Sequence, residues 1–403
     1  MIKVAVLGYG NIGSGVVQVL SMNQECIKKT AGQEIEVKSV LDLREFPGDP
    51  MENKVVHDIH QIIEDPEIQI VVETMGGTKP AYDFVKACLE AGKTVATSNK
   101  ELVAKHGAEL MRIAEEKQIN FLFEASVGGG IPIIRPLNQC ITSDEVYEIT
   151  GILNGTTNYM LTNMAKKGMT FDAILKKAQE LGYAERHPEA DIEGFDACRK
   201  IAILSSLAFG AQVDYEDIHT EGITTISDID IKYALKLEKA IKLFGTSKKI
   251  ENKIYAMVSP VMIGEEHPLY SVNGVMNGIL VRGDVIGDLM FYGAGAGKLP
   301  TASAVVADVV EAAKNLNRTV MRRWSEKKLG LEPFELTKNA FFVRISGEAQ
   351  QRQEELEAVF GSFDIVKVVE GEFGILTKEM TEAEYMEKAG KITGILNRIR
   401  LAN

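Results

Sequence analysis

The chain opens with IKVAVLGYGNIG at residues 2–13, and this stretch decides the fold of its N-terminal third. Residues 2–7 are mostly apolar and branched, with a single charge, as expected of a buried strand in a parallel sheet. The glycines that follow allow a tight turn, close approach of the backbone to a phosphate, and close packing of a helix over residues 12–22. Placed between strand and helix, the motif predicts a dinucleotide-binding unit, with cofactor contacts at Gly8, Gly10, Asn11, Ile12 and Gly13.

The second predicted strand, residues 35–41, ends at Asp42, where this kind of fold holds the adenosine ribose. The separation from Gly13 exceeds the usual ~20 residues, so residues 23–34 are interpreted as an insertion. A carboxylate at position 42 would repel a 2′-phosphate and favours NAD, whereas Arg44 would attract one and favours NADP. The sequence leaves the choice between the two cofactors open.

Strands and helices continue to alternate after this point. Further strands are predicted at residues 68–73, 93–97 and 119–123, with a helix at 80–91. This alternation predicts an α/β fold with an N-terminal Rossmann domain over residues 1–135, completed by about 300–325. Ligands gather beyond the carboxyl ends of parallel strands, where the chain carries Thr74, Gly76, Lys100 and Glu124. Lys100 and Glu124 could equally form strand-end salt bridges.

Composition excludes several classes of protein. A chain of 403 residues exceeds one hydrophobic core, so two or three domains are expected. The net charge of −12, with no basic stripe, argues against nucleic acid as a partner. The four cysteines are far apart and predict reduced thiols, and the histidines form no metal-ligand pattern. No signal-peptide layout and no apolar run of about 18 residues is present, so we expect a cytoplasmic protein with no membrane partner.

The most unusual charged stretch is YAERHPEADIEGFDACRKIAIL at residues 183–204. Asp196 and Lys200 are four residues apart and would share one helix face. Lys200 also begins an apolar run, where its ammonium would be partly desolvated. Taken alone, such a pair is most often a solvated ion pair that contributes about 0.2–0.5 kcal/mol. The nearby carboxylates Glu185 and Asp191 and the separate cofactor motif instead favour a site that moves protons.

Two other segments allow two interpretations each. GILNGTTNY at residues 151–159 opens a predicted helix at 156–167, and its Asn and Thr side chains could bind a polar substrate or cap the helix. GAGAGKLPT at residues 293–301 precedes a predicted helix at 302–315 and could approach the nicotinamide or simply form a tight turn.

Seven segments together resemble homoserine dehydrogenases, over residues 1 to about 325. They are GYGNIG (8–13), SNK (98–100), EASVGGGIP (124–132), GILNGTTNY (151–159), LGYAE (181–185), DIEGFDACRK (191–200) and GAGAGKLPTAS (293–303). Their order along the chain also matches that family. The resemblance implies reversible, NAD(P)H-dependent reduction of L-aspartate 4-semialdehyde to L-homoserine, in threonine, methionine and isoleucine biosynthesis.

The resemblance also implies roles for individual residues. Lys200 would protonate the carbonyl oxygen as hydride arrives and act as the base in reverse. Asp196 would hold the substrate or orient Lys200, and Lys100 would lie near the reacting groups and the nicotinamide. The amino-acid end of the substrate would be bound by Glu185, Asp191, Gly182 and Thr156.

Cofactor and cation contacts follow from the same resemblance. Beyond the glycine turn, the cofactor would contact Asp42, Arg44, Thr74, Gly76, Lys100 and Gly297. A structural monovalent cation, sodium or potassium, would be held entirely by oxygen atoms, at Glu124 and the carbonyls of Val127, Gly129 and Ile131.

The chain departs from the family at one point in the substrate loop. Arg186 and His187 stand before Pro188, where the family usually has Ala-Asp. Two potential cations beside Glu185 change the local field, so substrate affinity or pH optimum is expected to differ.

The rest of the chain predicts two further domains. Residues 136–300 are interpreted as a substrate-binding and dimerisation domain, residues 325–330 as a linker, and 331–403 as a third domain. Its predicted order is strand (340–345), helix (350–360), strand (364–369), strand (373–377), helix (381–389) and strand (395–401). This is the ferredoxin-like order and resembles the ACT-type regulatory domain that family members often carry, commonly with threonine feedback.

The resemblance leaves the role of this third domain open. SGEAQ at residues 346–350 replaces the usual Asp-x-Pro-Gly effector loop, so the domain could bind an amino-acid effector or serve subunit contact alone. A homodimer or homotetramer is expected from the resemblance.

Two other functions compete with this interpretation. Aspartate-semialdehyde dehydrogenase chemistry needs a cysteine nucleophile beside a base, and Cys198, inside the predicted Asp–Lys helix, does not stand in such a setting. A catalytically silent amino-acid sensor would use the first domain only to bind nucleotide, and the intact Lys200 and Asp196 argue against it.

Overall fold

The computed structural model describes residues 1–402, which divide into two compact units. Unit 1 comprises residues 1–145, 202–214 and 293–329. Unit 2 comprises residues 146–201 and 215–292 and the segment from Gly330 to the C-terminus. Each unit therefore combines segments that are far apart in the sequence. Within the described residues, no helix combines the length and the apolar character needed to cross a membrane.

Unit 1 is built on a six-stranded parallel sheet with the strand order 3-2-1-4-5-6. In sheet order, the strands are Val55–Val56, Ile35–Leu41, Ile2–Leu7, Ile68–Glu73, Thr94–Thr97 and Phe121–Leu122. The two central strands are almost completely buried, which explains their nearly continuous apolar sequence. This order is that of a Rossmann dinucleotide-binding sheet, as predicted.

The helices of unit 1 cover the sheet and differ from prediction at two places. They are Asn11–Met22, Gln24–Ala31, His60–Ile63, Ala81–Glu90, Lys100–Glu116 and Lys298–Lys314. The predicted insertion at 23–34 is largely a second helix. The helix predicted to start at residue 302 begins at Lys298, because Gly297 turns the chain with φ +119° and Pro300 is tolerated in a first turn.

Residues 325–328 form a strand, although the sequence was interpreted there as a linker. Ser325–Lys328 pairs with Ala211–Gln212, next to the buried Trp324. The Trp324 indole donates to Gln212 Oε1 at 2.8 Å, which satisfies the buried N–H. The short polar segment is therefore anchored to unit 1 by its neighbour Trp324 and by ion pairs of its own Glu326 with Arg112 and Lys328 with Asp214.

Unit 2 is organised around an eleven-stranded sheet with the long antiparallel hairpin Ala240–Ile250 and Lys253–Ile263 near its centre. On one side of the hairpin follow, in sheet order, Val146–Ile152, Met276–Gly283 and Gly287–Ala294. The helices of this unit are Gly155–Lys167, Phe171–Glu180, Glu189–Ile192, Phe195–Phe209 (whose later residues belong to unit 1), Asp228–Lys236, Ala349–Phe360 and Glu382–Ala389.

The C-terminal part of unit 2 has the element order strand, helix, strand, strand, helix, strand. Its four main strands are Lys338–Ser346, Asp364–Val366, Glu372–Leu376 and Ile395–Ala402, and their order in the sheet is 4-1-3-2, all antiparallel. The last strand also pairs in parallel with Lys253–Ile263, so the sheet is continuous with the hairpin. Arg400, almost fully buried, donates to Glu221 and Glu382 and reinforces this junction.

Candidate active site

The glycine turn of unit 1 has the geometry that its sequence requires. Gly8 has φ +88°, a conformation that favours glycine, and a β-carbon at position 13 would collide with the Gly8 carbonyl oxygen. Thr74 Oγ1 donates to that same carbonyl at 2.9 Å and fixes the turn. The helix Asn11–Met22 starts directly after Gly10, and first-turn amides have no partner within a helix. These amides can receive a pyrophosphate.

A cleft of about 460 Å³ adjoins this turn and contains both residues that gave opposing signals for cofactor preference. Asp42 accepts hydrogen bonds from the Tyr9 amide at 2.8 Å and from Arg44 Nε and Nη2, each at 2.9 Å. The Arg44 guanidinium holds the pKa of the Asp42 carboxyl well below its usual range. The two charges thus compensate each other.

Glu73 is a buried carboxylate at the end of its strand that the sequence reasoning did not single out. Its Oε2 accepts from Thr97 Oγ1 at 2.5 Å, and its Oε1 accepts from the amides of Met75 at 2.7 Å and Gly76 at 3.3 Å. Burial raises the pKa of Glu73. Glu73 fixes the segment after the strand, which contains the predicted contacts Thr74 and Gly76. The sequence feature that could have singled out Glu73 is an acid at the end of an otherwise apolar strand.

Lys100 is the first residue of the helix Lys100–Glu116 and is half-buried. Asn99 caps that helix, with Oδ1 accepting from the Leu102 amide at 3.1 Å, and its Nδ2 donates to the Gly77 carbonyl at 2.6 Å. This cap fixes the start of the helix and therefore the backbone position of Lys100. Gly297, the other predicted cofactor contact of unit 1, is the residue immediately before the helix Lys298–Lys314.

The predicted cation loop holds its carboxylate in structural hydrogen bonds. Glu124 is buried, and its carboxylate accepts from the amides of Ile133, Ile134 and Arg135 at 2.6, 2.8 and 2.8 Å. The Glu124 amide in turn donates to Asp308 at 2.8 Å. No cluster of three or more acidic, histidine or cysteine side chains suited to a metal occurs in residues 1–402. A cation here would therefore depend mainly on backbone carbonyls such as those of Val127, Gly129 and Ile131.

The predicted Asp–Lys pair of unit 2 is formed and buried. Asp196 and Lys200 lie one turn apart on the helix Phe195–Phe209, and Lys200 is 8% exposed. Lys200 Nζ donates to Asp196 Oδ2 and to the Leu153 carbonyl, both at 2.8 Å. The helix places this pair in an interior position because apolar residues 201–204 follow it at full burial. It is not the solvated surface pair that its spacing alone would suggest.

Asn154 joins the second acid to this pair. Its Nδ2 donates to Asp191 Oδ1 at 2.7 Å and to Asp196 Oδ2 at 2.9 Å, while its Oδ1 accepts from the Thr157 amide at 2.9 Å. Of the two interpretations of the 151–159 segment, helix capping is confirmed at Asn154, and the same side chain contacts two candidate site residues. Burial, followed by the charge of Asp196, raises the pKa of Asp191.

The remaining predicted substrate contacts are Thr156, on the helix Gly155–Lys167, and Gly182 and Glu185, on the loop before this cluster. Thr156 Oγ1 donates to the Tyr183 carbonyl at 2.7 Å, which ties the loop to the helix Gly155–Lys167. Gly182 is exposed and has φ +74°. Glu185 has an exposed side chain outside the hydrogen-bonded cluster of the other acids. Arg186 and His187, the departure from the family, are exposed beside it.

The 3-2-1-4-5-6 sheet with its glycine turn and the buried Lys–Asp pair define an NAD(P)-dependent oxidoreductase. Residues 8–124 match the family model "Homoserine dehydrogenase, NAD binding domain", and residues 132–310 match the model "Homoserine dehydrogenase". The chain belongs to the homoserine dehydrogenase family. Homoserine dehydrogenase from Pseudomonas aeruginosa is 36% identical over 404 residues, covering 98% of this chain and 91% of the relative.

Solved structures agree with this assignment over the full fold. The crystal structure of a homoserine dehydrogenase from Thiobacillus denitrificans has a TM-score of 0.92 at 36% identity and covers 100% of this chain and 98% of that one. A hyperthermophilic archaeal homoserine dehydrogenase in complex with NADPH has a TM-score of 0.67 at 25% identity, covering 78% and 99%. The predictions of an oxidoreductase of this family and of NAD(P) as the cofactor class are confirmed.

Proposed function

We propose that Lys200 is the general acid and base of the homoserine dehydrogenase reaction, the reversible reduction of L-aspartate 4-semialdehyde to L-homoserine. The observation that carries the proposal is the burial of Lys200 with Asp196 and the Leu153 carbonyl as its acceptors. An ammonium has three N–H bonds, so two orient the group and the third is available to a substrate oxygen. Positioned proton transfer of this kind contributes about 10²–10⁴-fold to a rate.

When bound, the nicotinamide cofactor supplies or accepts the hydride. Lys200 donates a proton to the carbonyl oxygen during reduction and takes one from the hydroxyl during oxidation. Asp196 orients the lysine ammonium, because Asp196 Oδ2 accepts a hydrogen bond from Lys200 Nζ at 2.8 Å. Lys100 acts as a second cation near the reacting groups.

The substrate's α-ammonium binds the acidic side of the same site. Asp191 and Asp196 face one Asn154 amide, so two carboxylates converge within hydrogen-bond reach of one point. A bound ammonium favours the ionised form of Asp191, against the burial that raises its pKa. Glu185, the backbone at Gly182 and Thr156 complete this end of the site from the exposed loop.

The glycine turn and its cleft hold the cofactor, with contacts at Gly8, Gly10, Asn11, Ile12, Gly13, Asp42, Arg44, Thr74, Gly76, Lys100 and Gly297. The Asp42–Arg44 pair supports acceptance of both cofactors, since Asp42 can meet a ribose hydroxyl and Arg44 can meet a 2′-phosphate. The archaeal relative was solved with NADPH. Comparing kcat/KM for NADH and NADPH measures the preference.

Three further properties belong to the same proposal. Residues 331–403 form a ferredoxin-like, ACT-type domain, supported by the 4-1-3-2 order of their strands. This domain binds an amino-acid effector such as threonine or serves contact in a homodimer or homotetramer. A structural sodium or potassium ion would be held mainly by the carbonyls of Val127, Gly129 and Ile131, beside the carboxylate of Glu124.

The decisive experiment measures NAD(P)H oxidation with aspartate semialdehyde in the wild type and in Lys200→Ala. We expect kcat to fall about 10²–10⁴-fold while homoserine binding, measured by calorimetry, is retained. Lys232→Ala is the matched control, because Lys232 also pairs with an aspartate four residues earlier but lies exposed on its helix. Unchanged turnover in Lys200→Ala contradicts the mechanism, and absence of turnover in the wild type favours an amino-acid sensor. Adding threonine to the assay tests the effector.

A further inference from the structure

Unit 2 contains a cavity of about 180 Å³ between the helix Gly155–Lys167, the helix Asp228–Lys236 and the strand Ala240–Ile250. Three lysines line it: Lys166, Lys239 and Lys242. The other polar lining side chains are neutral, and the remaining wall is apolar. No carboxylate belongs to the lining among the residues that the structure describes, so the cavity is strongly cationic.

Lys242 forms the closed end of this cavity and is only 2% exposed. Its Nζ donates to the Val272 carbonyl at 2.5 Å, to Asn273 Oδ1 at 3.1 Å and to Asn158 Oδ1 at 3.3 Å. All three acceptors are neutral oxygens. The ammonium is therefore hydrogen-bonded but has no acidic counter-charge, which is an unfavourable state for a buried cation.

Electrostatics at the cavity agree with its geometry. Burial, followed by the positive charge of Lys166, lowers the pKa of Lys242 to about 8. Lys166 is exposed and Lys239 half-buried, so these two stand nearer to solvent than Lys242. Within residues 1–402, no ion pair within 4.0 Å reaches any of the three lysines from an acid. Three like charges around one small cavity repel one another unless an anion enters.

A purely structural role explains only part of this arrangement. Lys242 does tie residues 272 and 273 to Asn158 on the neighbouring helix. That function needs a hydrogen-bond donor, and it gives no reason for Lys166 and Lys239 to line the same space. An anionic ligand accounts for all three lysines together.

We propose that this cavity binds a small monocarboxylate with a short aliphatic chain. The carboxylate pairs with the two outer lysines and is attracted by the charge of Lys242, whose own three N–H bonds are held by Asn158, Val272 and Asn273. The chain packs on the apolar wall formed by Leu161, Ile231, Ala234 and Ile241. The volume lies below the roughly 300–1,000 Å³ of sites for drug-sized ligands, which excludes a nucleotide.

The cavity is distinct from the candidate active site. Both involve the helix Gly155–Lys167, but Thr156 and Lys166 are ten residues apart, or about 15 Å along a helix. The charge is also opposite, because the active site presents Asp191 and Asp196 to an ammonium whereas the cavity presents lysines to a carboxylate. The proposal does not depend on the proposed catalytic roles.

Isothermal titration of the full chain with sodium butyrate tests the proposal, with butyramide as the neutral probe of the same shape. We expect saturable binding of butyrate in the presence of fixed sodium chloride, and none of butyramide. Lys242→Met should weaken binding at least tenfold, and Lys166→Ala and Lys239→Ala several-fold each. Lys236→Ala, an exposed lysine of the helix Asp228–Lys236 outside the lining, is the matched control and should leave affinity unchanged.

Several results overturn the proposal. They are no saturable binding of butyrate, equal binding of butyramide, or affinity that none of the three lining substitutions changes. If Lys242→Met does not fold, the two outer variants decide the question, because their side chains lie nearer to solvent. Saturating L-homoserine should leave butyrate binding intact, and displacement of butyrate by homoserine assigns the butyrate to the active site instead.

Discussion

Unit 2 buries two lysines in opposite electrostatic settings. Lys200 donates to the carboxylate of Asp196 at 2.8 Å, whereas Lys242 donates only to neutral oxygens of Asn158, Val272 and Asn273. Both lysine residues are buried, at 8% and 2% exposure. Burial is therefore common to the two lysines, and the presence or absence of an acid is what differs.

This difference is the basis for proposing Lys200 as a proton donor and Lys242 as part of an anion receptor. A lysine with its own carboxylate is held in one orientation in a buried site, and it can exchange one proton with a substrate oxygen without needing another anion. A lysine without one gains most from an anion that arrives from outside. The same residue type thus supports two functions, according to the partner that the chain provides.

Removal of the Asp196 carboxylate that pairs with Lys200 should give the largest loss of stability. Asp196→Asn leaves Lys200 as a buried charge without the carboxylate that now accepts from it, and breaking such a pair costs about 3–5 kcal/mol. Urea unfolding of unit 2 followed by hydrogen exchange measures the loss. Asp228→Asn, in the exposed pair with Lys232, should cost less than about 1 kcal/mol. Equal losses in the two variants would contradict the distinction.

Lys242 should affect how the free energy of unfolding depends on pH. The pKa of Lys242 is lowered from 10.5 to about 8 in the folded chain, so between these values the unfolded chain binds more protons. Raising the pH through this window therefore favours the folded state, by about 2–3 kcal/mol between pH 7 and 10. Lys242→Met should lack this gain. We would compare free energies of unfolding of both proteins across that range; identical pH profiles would remove Lys242 as the cause.

The buried and the exposed acid of the proposed substrate site should contribute differently to homoserine binding. Asp191→Asn should raise KM for homoserine about tenfold, because a hydrogen bond to a charged group contributes about 1.5 kcal/mol or more. Glu185→Gln, at an exposed position, should raise KM only two- to threefold, as surface ion pairs contribute little. Steady-state kinetics with homoserine measure both, and a larger effect at Glu185 would reverse the ranking.

Much of unit 1 could be predicted because its signals are local. The strands Ile2–Leu7, Ile35–Leu41 and Ile68–Glu73 have the predicted bounds, since a largely apolar, branched run that ends at glycine or an acid is typical of a buried parallel strand. The Asp196–Lys200 pair could also be predicted from helical spacing. The burial of this pair could not be predicted in the same way, because it depends on Leu153 and Asn154, which lie more than 40 residues earlier in the sequence.

The remainder depends on contacts between distant residues. Asn154 looks like an ordinary helix cap, and nothing local reveals that its amide reaches two acids. In the sequence, Lys242 is a single charged residue within a strand. Its separation from acids follows from the loop at residues 272–273, which closes over it. Residues 325–328 look like a polar linker because the pairing strand and the buried Trp324 determine their structure.

The central claim is that Lys200 transfers the proton, and a single-turnover measurement tests it most directly. Enzyme with bound NADPH is mixed with aspartate semialdehyde, and loss of the reduced nicotinamide absorbance reports the chemical step apart from product release. The account predicts a rate about 10²–10⁴-fold lower in Lys200→Met than in the wild type, with Lys232→Met unchanged. A Lys200→Met rate within a few-fold of the wild type would contradict it.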